Sequence, residues 1–359
     1  MNPEMGEMKV FIRRHFSNLF LMSEMLDKLI NYSFLYDCSK LTLNKIKSKR
    51  NPAIRYMSNL GENVLTLYNE LKDGTYKLKP FRNFIVYDPK ERHIRSLAIC
   101  DRVLQRALYE LILPVFEKKF IYDTYACLKG RGGEKARIRL SYFINKFNKN
   151  KNAYYLKLDV SKYFYSIDTH LLYEIYLKPN LPEDIIYYLK MFVEDNKTGV
   201  PIGDLMCQLY ANTYLSRIDH FIKNKLKCKY YIRYMDDMVL LSDNKEELKE
   251  WKILIESELN KLKLKLNPKS HINKVANGLP FTGYNFYYDC IYAKQKKVRR
   301  MKNQIYRFKA GKIKPLKLKD GISSRRGTYL HAANRYIYQD CLKKSCELLN
   351  TDLMKLGVK

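Results

Sequence analysis

The apolar positions of this chain change period along its length. Near the start, Phe11, Phe16, Leu19, Phe20, Met22, Leu26 and Ile30 recur close to helical spacing. They predict an amphipathic helix whose stripe faces a core, with a partner-binding face as the alternative. Residues 1 to about 80 read as helical and basic, and Lys45, Lys47, Lys49, Arg50 and Arg55 offer positive charge to an RNA backbone. In the middle of the chain the stripe gives way to short, continuous apolar and aromatic runs. Ala153–Val160 is an apolar and aromatic run that reads as a strand ending near Asp159, followed by Ser161–Asp168 as a turn running into a helix. Tyr230–Leu241 reads as two strands broken at Asp236 and Asp237, which therefore fall at a hairpin turn. Strands and helices alternate from 151 to about 290, the pattern of a mixed α+β sheet packed on helices. Toward the end Met301, Ile305 and Phe308 return at helical intervals, Gly321–Gly327 reads as a flexible basic loop, and residues 328–348 read as a final helix. No internal repeat is visible.

The aspartates change the picture from fold to chemistry. Two carboxylates held close repel each other unless a cation sits between them, and Mg²⁺ prefers such hard oxygen ligands. Asp159, at the end of a second buried strand, can face Asp236 across neighbouring strands, and the Val160 carbonyl adds another oxygen. Two metals in such a cluster stabilise the attacking and leaving oxygens of nucleotidyl transfer. An Asp-Asp pair is also an ordinary hairpin turn, and Asp159 can equally cap the segment after it.

Charge narrows the partner. The chain has 67 Lys and Arg against 37 Asp and Glu, a net charge of +30, and at 46% hydrophobic it can bury a sizeable core. This excess predicts a polyanion, with nucleic acid ahead of an anionic membrane surface. From Lys294 to Lys319 there are 12 Lys and Arg and no acid. With the apolar spacing of that tract, this predicts a helix whose basic face, including Lys296, Lys297, Arg299, Arg300 and Arg307, lies on a nucleic-acid duplex. Such contacts are salt-dependent and indifferent to sequence. The 31 tyrosines offer stacking faces, though many must be core. No apolar run of about 18 residues and no signal peptide is present, so a soluble cytoplasmic protein without membrane contact is expected. The eight cysteines form no CxxC pair, so zinc is not expected, and none of the six dispersed histidines sits in a nucleophile or metal-ligand pattern.

Asp159 with Tyr163–Asp168, followed by Tyr234-Met235-Asp236-Asp237, resembles motifs A and C of reverse transcriptases. The resemblance implies a right-hand polymerase of α+β class. Residues 1–80 would be an N-terminal helical extension and the start of the fingers, and 81–150 the fingers. Residues 151–290 would be a palm of antiparallel sheet packed on helices, and 291–359 a small basic helical thumb. It implies an RNA-directed DNA polymerase in which Asp159, Val160, Asp236 and Asp237 hold two Mg²⁺ ions, with Mn²⁺ as a possible substitute. Phe164 would be the steric gate against a ribose 2′-hydroxyl.

The likeness runs over most of the chain. Phe84–Arg95 is similar to the fingers hairpin of prokaryotic reverse transcriptases, where Lys90, Arg92 and Arg95 would bind the triphosphate of the incoming nucleotide. Phe120–Gly133 is similar to the template-contacting loop, which places Arg131 on nucleic acid together with Tyr234 and Met235. Leu264–Lys269 resembles motif D, with Lys269 protonating the pyrophosphate leaving group. Phe281–Tyr284 resembles the primer grip, with Gly283 and Tyr284 on the nucleic acid.

Gly199–Asn212 discriminates among these enzymes. Retroviral and group II intron enzymes usually carry Gln where this chain has Ile202. The aliphatic residue before Gly203, followed by Gln208 and Ala211-Asn212, is similar to the reverse transcriptases of diversity-generating retroelements. These copy a template-repeat RNA with errors at adenine, so that the cDNA diversifies a target gene. That resemblance implies a ribonucleoprotein with a structured template RNA, an RNA/DNA duplex, dNTPs and a small basic oligomeric accessory protein. Ile202, Gly203 and Gln208 would then line the nucleotide. Cys207 stands where that family usually has Ser. A retron-type or phage-defence reverse transcriptase making a dedicated cDNA is the alternative, and a non-catalytic RNA-binding scaffold the third reading.

Overall fold

A computed structural model describes residues 23–44, 46, 51–87, 91–147 and 152–350. The Phe11–Met22 part of the N-terminal stripe, the cations at 45, 47, 49 and 50, and Lys90 lie outside the described residues. The longer helices are α1 (Glu24–Leu29), α2 (Tyr32–Asn44), α3 (Asn51–Ser58), α4 (Leu60–Lys72), α5 (Ile99–Glu117), α6 (Gly133–Asn145), α7 (Glu183–Phe192), α8 (Leu205–His220), α9 (Lys245–Lys261), α10 (Gln295–Lys309), α11 (Pro315–Ser323) and α12 (Arg335–Leu349). The strands are β1 (Arg82–Val86), β2 (Arg92–Ser96), β3 (Tyr154–Leu158), β4 (Tyr230–Tyr234), β5 (Asp237–Ser242), β6 (His271–Lys274), β7 (Leu279–Phe281), β8 (Tyr284–Phe286) and β9 (Ile291–Ala293). Helices mixed with antiparallel sheets make the chain α+β.

The chain divides into two compact units woven from alternating segments. The first takes the described residues up to Tyr122, Val160–Lys225 and Ile255–Leu266. It is mostly helical. α2 packs on α4 and α5, burying Leu35, Val64, Leu67, Leu104 and Leu108. Asp101, at the start of α5, is fully buried and accepts hydrogen bonds from the Tyr76 hydroxyl and the Lys79 N–H, so its burial is compensated. β1 and β2 form an antiparallel hairpin whose first strand is exposed throughout.

The second unit takes Asp123–Asp159, Leu226–Leu254 and the residues from Asn267 on. Its main sheet has the order β4-β5-β3-β6, antiparallel throughout. A second sheet, β7-β8-β9, is also antiparallel. Tyr155, Ile232, Val239 and Leu241 from the main sheet meet Leu140 and Phe143 of α6, Phe281 and Phe286 of the small sheet, and Met301 and Ile305 of α10 in one apolar cluster. This cluster fixes the strands and hence the segments at their ends.

The C-terminal region departs from the sequence expectation twice. Gly321 lies inside α11 and Gly327 inside the short helix Arg326–Tyr329, where a flexible loop is expected. Packing overrides propensity here: a Cβ at Gly321 would collide with the Gln304 amide of α10, so the glycine permits close approach of two helices. The final helix is also broken, running as Arg326–Tyr329 and then α12. Stacked Tyr329 and Tyr338, with ring centroids 5.6 Å apart, pack across the break. None of the helices among the described residues is long and apolar enough to cross a membrane.

Candidate active site

Pleat and register bring the carboxylates to one end of the main sheet. Tyr234 pairs with Asp237, leaving Met235 and Asp236 as a two-residue turn between β4 and β5. Leu158, the last residue of β3, pairs with Met238. The next residue on each strand is Asp159 and Asp237, so the antiparallel register sets these two side by side. Met235 has φ +58°, a left-handed conformation that is costly for a side chain of this size. Arg233 helps hold it: this arginine is 0% exposed, and its guanidinium donates to the Met235 carbonyl at 2.9 Å. The Arg233 backbone in turn exchanges hydrogen bonds with Asp123 and Tyr125, at 2.9 and 3.0 Å.

Asp159 and Asp237 are held in place. The Asn267 side-chain amide donates to the Asp159 carboxylate at 2.8 Å, and its N–H donates to the Asp159 carbonyl at 2.7 Å. The Ser270 hydroxyl accepts the Asp159 N–H at 3.2 Å. Asp237 is ion-paired with Lys157. Burial pushes the Asp237 carboxyl above the usual carboxylate range; Lys157 and Lys294 pull it down, and Asp159 pushes it up. All three aspartates remain half-buried, with a solvent-facing side. They are neighbours rather than a closed cluster: their oxygens do not all lie within 4.8 Å of one another. Hard oxygen donors from strand ends, one of them raised in pKa mainly by burial and further by the Asp159 carboxylate, fit a divalent cation, which favours the charged forms of both.

Other expected nucleic-acid residues also gather in this unit. Thr282 and Gly283, at φ +43° and +90°, form the tight turn between β7 and β8. A Cβ at Gly283 would strike the Lys297 side chain, and the Lys297 ammonium lies 5.0 Å from the Tyr284 ring centroid. Burial and the nearby Lys294 lower the Lys297 pKa. α10 buries Val298, Met301 and Ile305 and exposes Lys296, Arg299, Arg300 and Arg307. The Arg131 guanidinium donates to the Thr124 carbonyl at 2.7 Å, beside β4. Lys269 is an exposed turn residue two positions after Asn267.

The remaining candidates lie in the first unit. Arg92 is exposed on β2, and Arg95 is ion-paired with buried Asp204. The Arg95 N–H donates to the Ile202 carbonyl at 3.2 Å. Gly203 has φ +107°, and a Cβ there would sit 2.9 Å from the Ile94 side chain and 3.1 Å from the Arg95 carbonyl. Only glycine suits that approach of the 199–203 segment to β2. Phe164 is half-buried, and its carbonyl accepts the Val200 N–H at 2.8 Å. Val160 is buried and bridges Leu266, and Gln208 is exposed on α8.

The chain matches the model of the family described as reverse transcriptase (RNA-dependent DNA polymerase) over residues 88–286, more than half its length. The chain belongs to the reverse transcriptase family. It is an RNA-directed DNA polymerase, a nucleotidyltransferase that binds template nucleic acid and deoxynucleoside triphosphates. Reverse transcriptases use divalent metal ions. No curated protein matches this reverse transcriptase.

Sequence reasoning passed over several residues around the aspartates. Lys157 precedes Asp159 by two on a strand and therefore shares its face, a signal that was available. Asn267 and Ser270 come from a separate segment, and no local pattern ties them to Asp159. Among the described residues, His170, Glu174 and Asp195 place their ligand atoms within 4.8 Å of one another. His170 and Glu174 are four apart on one helical turn, but Asp195 joins them only through the fold. Lys178 pairs with Glu174 and Lys190 with Asp195, at 3.0 Å for the latter, so the group forms an ion-pair network.

Proposed function

We propose that this reverse transcriptase copies the template-repeat RNA of a diversity-generating retroelement into cDNA with errors at adenine. Asp159, Asp236 and Asp237 would hold two Mg²⁺ ions, and the Val160 carbonyl would add a ligand. When bound, the ions supply activation of the primer 3′-hydroxyl and charge stabilisation at the transferring phosphate. Asn267 and Ser270 then keep Asp159 oriented, and Arg233 keeps the 235–236 turn in its strained form. Lys269 donates a proton to the leaving pyrophosphate. Arg92, Arg95, Phe164, Ile202, Gly203 and Gln208 serve the nucleotide, as does Lys90, outside the described residues. Arg131, Tyr234, Met235, Gly283, Tyr284 and the basic face of α10 serve the template and primer. The division into fingers, palm and thumb and the small basic accessory protein belong to the same proposal.

Ile202 carries the subtype. Its aliphatic side chain makes no hydrogen bond to an incoming sugar where a glutamine would. The missing bond is worth roughly 0.5–1.5 kcal/mol, about 2- to 13-fold in a rate. The test is primer extension by the purified protein on a defined RNA, with errors sequenced at each template base. Errors concentrated at adenine, and reduced in Ile202→Gln, support the reading. An error spectrum even across the four bases favours an enzyme that makes a dedicated cDNA, the reading that Cys207 in place of Ser also leaves open.

A further inference from the structure

We propose that Lys157 is a resident counter-cation of the carboxylate cluster, a positioning residue that holds Asp237 and sets the divalent-ion concentration the cluster requires. This rests on the reading of Asp159, Asp236 and Asp237 as metal ligands. Lys157 lies on β3, two residues before Asp159, so both side chains leave the same face of the strand. Its register partners are Val239 on β5 and His271 on β6. Asp237 is therefore its diagonal neighbour, within reach of a long side chain. The ammonium contacts an Asp237 carboxylate oxygen and lies 5.8 Å from the Phe281 ring centroid.

This pair differs from the exposed ion pairs elsewhere in the protein. The Lys157 and Asp237 side chains are only 16% and 29% exposed, whereas Lys249 and Glu246 are 53% and 68% exposed. Exposed pairs of that kind contribute little. Here the side chain of Lys157 is largely buried, and its ammonium reaches the Asp237 carboxylate beside the Phe281 ring. Lys294 adds a second positive charge near the same carboxylate. An ion taking up Asp237 must share or displace the ammonium. At a water-like dielectric of about 80 and a separation of about 6 Å, the repulsion between a unit charge and a divalent ion shifts affinity by about tenfold. Lys157 thereby keeps the Asp237 carboxylate oriented without a metal and makes the cluster release one readily.

The experiment titrates Mn²⁺ into the full chain and follows the free-ion electron paramagnetic resonance signal for wild type, Lys157→Met, Lys157→Arg and Asp159→Asn. Lys157→Met is expected to bind Mn²⁺ about tenfold more tightly and to reach half-maximal primer extension at correspondingly lower Mg²⁺. Lys157→Arg, which keeps the charge, is expected to keep wild-type affinity. Unchanged or weaker binding by Lys157→Met overturns the proposal; if that variant does not fold, Lys157→Gln is read in its place by the same criterion. Asp159→Asn separates the two levels: wild-type Mn²⁺ affinity in that variant overturns the metal site itself, whatever Lys157 does.

Discussion

Replacing Asn267 with alanine isolates the support given to Asp159 from a distant segment. The side-chain amide bond to the carboxylate, at 2.8 Å, is lost, while the backbone bond at 2.7 Å to the Asp159 carbonyl remains. A hydrogen bond to a charged group contributes about 1.5–3 kcal/mol. Asp159 is half-buried, so water recovers part of this, and the loss is expected near ~1.5 kcal/mol. That corresponds to about a tenfold fall in kcat/KM for primer extension. Global stability is expected to change by less than about 1 kcal/mol, since no cavity or buried charge is created. The assay pairs steady-state extension on an RNA template with chemical unfolding. Asn267→Asp sharpens it, because a second carboxylate against Asp159 repels it, and activity should recover in part as Mg²⁺ is raised. Wild-type kcat/KM in a folded Asn267→Ala protein would refute the positioning role.

Arg233→Met removes the buried donor to the Met235 carbonyl and is expected to cost about 3 kcal/mol of stability, measured by urea unfolding; a change below about 0.5 kcal/mol contradicts its bracing of the turn. Gly203→Ala forces a Cβ to 2.9 Å from Ile94 at φ +107° and is expected to lose about 1–3 kcal/mol, whereas a neutral effect would mean that the segment relaxes freely. Lys297, whose pKa is lowered by burial and by Lys294, loses its charge at lower pH than an ordinary lysine. The affinity difference between wild type and Lys297→Gln for an RNA/DNA duplex should therefore shrink as pH rises from neutral, and a constant difference would show that its charge is not what binds.

The hairpin of β4 and β5 and the strand before Asp159 were legible because short, continuous apolar and aromatic runs are bounded by aspartates. The basic face of α10 was legible because apolar residues recur at 301, 305 and 308 between cations. Other features were not local. Gly321 signals flexibility until Gln304 of another helix is placed against it. Asn267 and Ser270 reach Asp159 across more than a hundred residues, and nothing near them in the chain points to it. His170, Glu174 and Asp195 meet only through folding. Arg233 inside a strand shows its bracing role only once the left-handed Met235 is placed against its guanidinium. Lys157 alone was recoverable, from the alternation of faces that any strand imposes.

The most direct test of the catalytic aspartates is extension of an RNA-templated primer by Asp159→Asn across a Mg²⁺ series, with template binding measured on the same protein. Wild type should extend in proportion to bound metal, and the variant should bind template normally yet extend about 100- to 1000-fold more slowly, the range seen when an electrostatic catalytic group is removed. Near-wild-type extension by a folded Asp159→Asn protein would contradict the assignment.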